Sequence, residues 1–123
     1  MQPILTPQAP APAGHYSQAM CVDNLVFVSG MLPGPAAPGE TDDFERQARA
    51  SLTHCQRVLE AAGCQLTDVA QCTVYIVGVE NWPRFNAVYA SHFGEHRPAR
   101  AIVPVPELHY GYLVEIQMVA RRP

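Results

Sequence analysis

Three features of this 123-residue chain predict an α+β fold, one mixed β-sheet with two helices on one face, in the element order ββαβαββ. Apolar residues recur at helical spacing through 42–62 and alternate with period two through 69–77, and two strand-like runs, 99–105 and 112–120, flank a Pro-rich bend. A chain of this length supports one moderate core, so residues 1–123 are expected to fold as a single domain.

Residues 1–15 are rich in Pro and Ala and are expected to begin as an extended arm. Residues 16–21 and 25–29 are short apolar or mixed runs around Val22, Asp23 and Asn24, which predicts a hairpin whose second strand ends at Gly30. The stretch MLPGPAAPGET at 31–41 has too much Pro and Gly to continue a sheet, and is expected to be a loop on the surface or a lid over a site. In the first helix Phe44, Ala48, Leu52, Cys55, Leu59 and Ala62 make the apolar face. Asp42 with Glu45 supplies its N-terminal cap and Gly63 its stop. In the next strand Ala70, Cys72, Val74 and Ile76 share the face expected to meet that helix. The second helix, 82–93, has Asn81 as cap, Pro83 in its first turn and Gly94 at its end. Pro104 and Pro106 are expected to break the ladder between the last two strands. There Tyr112, Val114, Ile116 and Met118 face one way, and Glu115 and Gln117 the other. The sheet's second face is therefore mixed, and meets either water or another subunit around a polar pocket.

Composition narrows the class. Apolar residues make up 48% and charged residues only 15%, which fits a folded chain that loses surface in an assembly. A net charge of −3 lacks the basic stripe that nucleic acid requires, so no nucleic-acid partner is expected. No apolar segment approaches the ~20 residues of a membrane span. Cys21, Cys55, Cys64 and Cys72 show no C-x-x-C spacing and no leader-like start precedes them, so they read as free, packing thiols of a cytoplasmic protein.

Arg100 and Glu115 are the only charged residues within the two apolar runs, and a lone charge there needs water or a chemical reason. The Arg100 guanidinium suits a small organic acid through two parallel hydrogen bonds. A partly buried Glu115 could position and deprotonate a water. Spacing alone leaves open a structural ion pair for the arginine and a cross-sheet pair for the glutamate. His92, Phe93, Gly94, Glu95 and His96 match H-x-x-E-H, but Gly94 and Pro98 should end the helix between the histidines, so no metal site is expected. Tyr16, Tyr89, Tyr110 and Tyr112 are candidates for a pocket wall or for packing, and His15, His54 and His109 share no spacing.

AGHYSQA, VFVSGMLP, QARASL, EAAG, TVYIV, FNAVY, RPARAIVPV and VEIQMVA occur in an order that resembles the RidA/YjgF family of reactive enamine/imine deaminases over nearly the whole length. The family is also described as translation initiation inhibitor-like, or endoribonuclease L-PSP. The resemblance implies a chorismate-mutase-like fold assembled as a homotrimer with pockets between subunits. It implies a 2-iminobutanoate/2-iminopropanoate deaminase-like hydrolase that turns 2-aminoacrylate or 2-iminopropanoate into pyruvate and ammonia without metal or organic cofactor. Arg100 would bind the substrate carboxylate and Glu115 would position the water. Tyr16, Ser29, Gly30, Asn86 and Ile102 would line the pocket, Gly30 and Ile102 through backbone carbonyls. A non-catalytic homotrimer that binds small carboxylates is the alternative. Ile102 stands where the family carries a cysteine, His15 where it carries a proline and Met31 where it carries a polar residue. The bend ELHYGY differs from the usual Leu-Pro turn and leaves the substrate side chain open.

Overall fold

The computed structural model describes residues 1–123. Strands β1 (Gln2–Ile4), β2 (Ala19–Val22) and β3 (Leu25–Met31) lead into helix α1 (Phe44–Ala61). Strand β4 (Val69–Val77), helix α2 (Trp82–Phe93) and strands β5 (Ala99–Val105) and β6 (Val114–Arg121) complete the chain. The six strands form one sheet in the order β1-β2-β3-β6-β4-β5. Only β4 and β5 run parallel, which makes the sheet mixed, and α2 is the crossover between them. Both helices pack on one face, as the sequence predicts. The arm contributes a strand that the order ββαβαββ omits: Pro3 pairs with Met20, and the chain then runs back across the buried Gln18. The Gln18 amide accepts from Thr6 N at 2.6 Å and donates to the carbonyls of Ala9 and Pro10, so the arm is fixed rather than loose.

The core lies between helices and sheet. Leu52, Cys55, Val58 and Leu59 of α1 and Phe85 and Phe93 of α2 meet Val74, Ile76, Val114, Ile116 and Met118. All four cysteines are buried and unpaired, and burial pushes the Cys55 thiol well up and the Cys72 thiol up to about 11. No helix is long and apolar enough to cross a membrane.

The structure departs from the sequence pattern at several positions. Ala70 is exposed and Val69 is buried in its place, because a register shift between Val69 and Gln71 moves the alternation by one residue. The cap of α1 is Asp43, whose carboxylate accepts from Arg46 N at 2.8 Å; Asp42 instead takes the buried Arg46 guanidinium and the Gln47 amide. The Asn81 side chain makes no cap bond and donates back to the Val77 carbonyl. Pro104 does not break the ladder, since β5 continues to Val105: β5 is an edge strand paired only with β4, and an edge tolerates a residue without N–H.

Loop 31–41 is held by α1. The Arg46 guanidinium donates to the Gly34 carbonyl at 2.9 Å, and His54 Nε2 lies 3.0 Å from the Pro33 carbonyl. Gln47 Oε1 accepts from Leu113 N at 2.8 Å, which ties the entrance of β6 to the same turn of helix. α1 thus fixes both walls of the cleft described next.

Candidate active site

Register decides where the two charged residues point. Arg100 pairs with Cys72 of β4, and Cys72 pairs with Met118 of β6; both neighbours are buried beneath the helices. Residues opposite one another in a ladder share a face, so Arg100 projects on the helix side. There the guanidinium donates to Asn86 Oδ1 at 3.0 Å and lies over the Tyr89 ring, 4.8 Å from its centroid. Ile102, two residues on and opposite Val74, shares that face. Glu115 pairs with Tyr75, between the buried Val114 and Ile116, and so projects from the opposite face. Within one chain Arg100 and Glu115 face apart.

On Glu115's side a cleft of about 770 Å³ brings together Tyr16, Ser29, Gly30 and Glu115 from the expected set. It does not include Asn86, Arg100 or Ile102. A bulge in β3 builds its floor: Val28 opposes Met118 and Met31 opposes Ile116, so Ser29 and Gly30 leave the regular ladder before Met31 returns to the core. The strand therefore does not stop at Gly30 as the sequence suggests. A Cβ on Gly30 would lie 3.0 Å from Glu115 Oε2, so the carboxylate keeps this position only beside a glycine and would have to shift by a few tenths of an ångström beside any other residue. Ser29 donates its hydroxyl to the Ser17 carbonyl at 2.6 Å, and the Tyr16 hydroxyl accepts from Ala13 N at 3.4 Å.

Burial raises the Glu115 carboxyl above its ordinary range, and the nearby His109 opposes this. His109 lines the cleft with Tyr110 and Tyr112. Sequence spacing gives no weight to His109, since it belongs to no motif; the left-handed Tyr110 and Gly111 after it turn the bend over the site. Tyr89 plays a different part from the other tyrosines. Its hydroxyl is buried without a hydrogen-bond partner, and burial, then the Cys72 thiol, push it up. The H-x-x-E-H histidines are separated by the end of α2 at Phe93, and His96 Nε2 meets the Val69 carbonyl at 2.7 Å. No three His, Cys, Asp or Glu side chains cluster to hold a metal ion.

The chain therefore presents a guanidinium on one sheet face and a partly buried carboxyl, beside a bulged backbone, on the other. The Endoribonuclease L-PSP family model matches residues 6–122. The chain belongs to this family. It is the RidA/YjgF family of the sequence reading, and its members share the α+β fold of two helices on one mixed sheet. A RutC family protein of Pyrococcus horikoshii is 40% identical over 95% of this chain and 94% of its own. A 2-iminobutanoate/2-iminopropanoate deaminase of Escherichia coli is 35% identical over 97% of this chain and 96% of its own. The crystal structure of E. coli TdcF with bound serine superposes with a TM-score of 0.92 at 33% identity and covers both chains completely. Several members of the L-PSP family carry the name of a deaminase, which supports that enzyme kind at family level.

Proposed function

We propose that this protein hydrolyses reactive 2-imino acids, and the 2-enamine acids that equilibrate with them, to 2-oxo acids and ammonia, as a homotrimer whose sites lie between subunits. The observation that carries the reading is the placement of Glu115 and Gly30 on one sheet face and of Arg100 and Asn86 on the other. A complete site then takes one half from each of two copies. The unpartnered face supports this packing, with Phe27 43% and Val103 37% exposed. The deaminase name of the E. coli relative and the serine in TdcF support a small substrate with an amino-acid skeleton.

In this reading Asn86 and Tyr89 hold the guanidinium, which binds the carboxylate as a fork. Tyr16 and Ser29 support the cleft wall, and the carbonyls of Gly30 and Ile102 accept the imine N–H. Water adds through its oxygen to C2 while Glu115 takes one of its protons, and the C=N electron pair takes a proton from solvent. The carbinolamine nitrogen then receives the Glu115 proton. The C–N bond breaks, ammonia leaves, and loss of the hydroxyl proton completes the 2-oxo acid. Positioning and the partly desolvated carboxylate supply most of the rate.

The test is capture of 2-iminopropanoate, generated by an amino-acid oxidase, with semicarbazide. Wild type should speed loss of the imine, and Arg100→Ala should lower kcat/KM by at least about a hundredfold with the assembly intact. Binding of the carboxylate without turnover would leave a non-catalytic carboxylate-binding trimer. A nucleic-acid substrate is disfavoured by the net charge of −3 and by a glutamate in the cleft.

A further inference from the structure

We propose that the cleft beside Glu115 is a slot for an aromatic ring, so that the preferred substrates are 2-imino acids with aromatic side chains; the assignment rests on the hydrolase reading above. Tyr16, His109, Tyr110 and Tyr112 line the cavity that holds Gly30 and Glu115. The His109 and Tyr110 ring centroids are 3.7 Å apart, and Tyr110 meets Tyr112 edge-on at 6.2 Å and 72°. Aromatic groups favour tilted and edge-to-face neighbours, and this wall offers both edges and faces. It is continuous with the cleft floor, because His109, Gly30 and Glu115 line the same cleft. In this proposal a substrate with C2 at Glu115 places its side chain beside the rings.

Packing within one chain does not explain Tyr110. Its backbone is left-handed, φ 61° and ψ 14°, which a bulky residue seldom adopts, and Gly111 follows at φ 73°. The turn thus uses two consecutive left-handed residues and still leaves the tyrosine 68% exposed. An uncommon backbone that holds an uncovered ring over a cleft fits ligand contact better than core stabilisation.

The experiment compares kcat/KM for imines made by a broad amino-acid oxidase from alanine, leucine, phenylalanine and lysine, each corrected for spontaneous hydrolysis. The phenylalanine-derived imine should exceed the alanine-derived one by at least about tenfold, and Tyr110→Leu should cut that ratio by about tenfold. Equal ratios in wild type, a lysine-derived imine preferred over the aromatic one, or a ratio unchanged in Tyr110→Leu would overturn the slot. Turnover of the alanine-derived imine without aromatic preference removes the slot alone, whereas turnover of none removes the hydrolase reading and the slot with it. Sedimentation and circular dichroism of Tyr110→Leu confirm that the ratio is read on a folded assembly, and the wild-type ratios decide the matter if that variant does not assemble.

Discussion

Gly30 and Glu115 make one contact whose tolerance is a few tenths of an ångström, since a Cβ on Gly30 would stand 3.0 Å from Glu115 Oε2. Gly30→Ala should displace the carboxylate and lower kcat/KM by about tenfold while circular dichroism stays native. Displacement is the whole effect, because Gly30 is not among the residues with positive φ. Glu115 itself makes a pH prediction. Its carboxyl is raised above 4.5 by burial, with His109 opposing, so the acid limb of kcat/KM should lie above 4.5. His109→Ala should move the limb further up, and Glu115→Gln should abolish it. The same shift links to stability: an acid with a raised folded value contributes stability below its unfolded value and loses it as pH rises through the folded one. Glu115→Gln should therefore melt higher than wild type at pH 7 by calorimetry, the usual sign of a group held for chemistry. That Arg100 and Glu115 stand out was legible in sequence because both are charges within apolar runs. His109 was not legible, because its proximity to Glu115 arises from the turn at Tyr110 and Gly111.

Among the elements, α1 organises the site. Arg46 and His54 hold loop 31–41 by the carbonyls of Gly34 and Pro33, and Gln47 holds the start of β6. Burial, with the Arg46 charge, keeps the His54 ring below 6.5, and burial lowers His92 likewise. Above 6.5 both rings are neutral in folded and unfolded chains. As pH falls below 6.5 the unfolded chain takes up protons that the folded one resists, so stability should drop between pH 6.5 and the lower folded values. The melting temperature should fall over that window, and His54→Gln with His92→Gln should flatten the fall. The lengths of α1 and α2 were legible from apolar spacing and from Gly63 and Gly94. Their caps were not, because Asp42 is drawn to Arg46 and Asn81 to Val77, side-chain contacts four residues away that compete with capping. The Ala70 irregularity was hidden for another reason: alternation assumes a continuous ladder, and the partner strand decides where it slips.

For the whole molecule, the opposed faces of Arg100 and Glu115 make assembly the central prediction. The protein should sediment as a trimer, and Phe27→Glu, on the unpartnered face, should dissociate it with loss of turnover. Subunit mixing gives a sharper result. Arg100→Ala and Glu115→Gln should each be nearly inactive, but equal mixtures reassembled at random should recover about a quarter of wild-type sites, since half the copies carry each intact group. No recovery, with exchange verified by mass spectrometry, would place both residues' roles within one chain and remove the shared site.

The sequence by itself determined the α+β class, the two helices, the four longer strands, their apolar faces apart from Ala70, and the family, because each follows from local periodicity or from motifs in fixed order. Tertiary structure alone decided the strand from the arm, the strand order, the bulge at Ser29 and Gly30, and the face from which Arg100 projects relative to Glu115. The physical reason is that a side chain's face depends on register between segments distant in sequence, and a single bulge reverses it. Fifteen positions along the chain bring Arg100 and Glu115 together on paper. The parallel pairing of β4 with β5 and the antiparallel pairing of β4 with β6 turn them to opposite sides of the sheet.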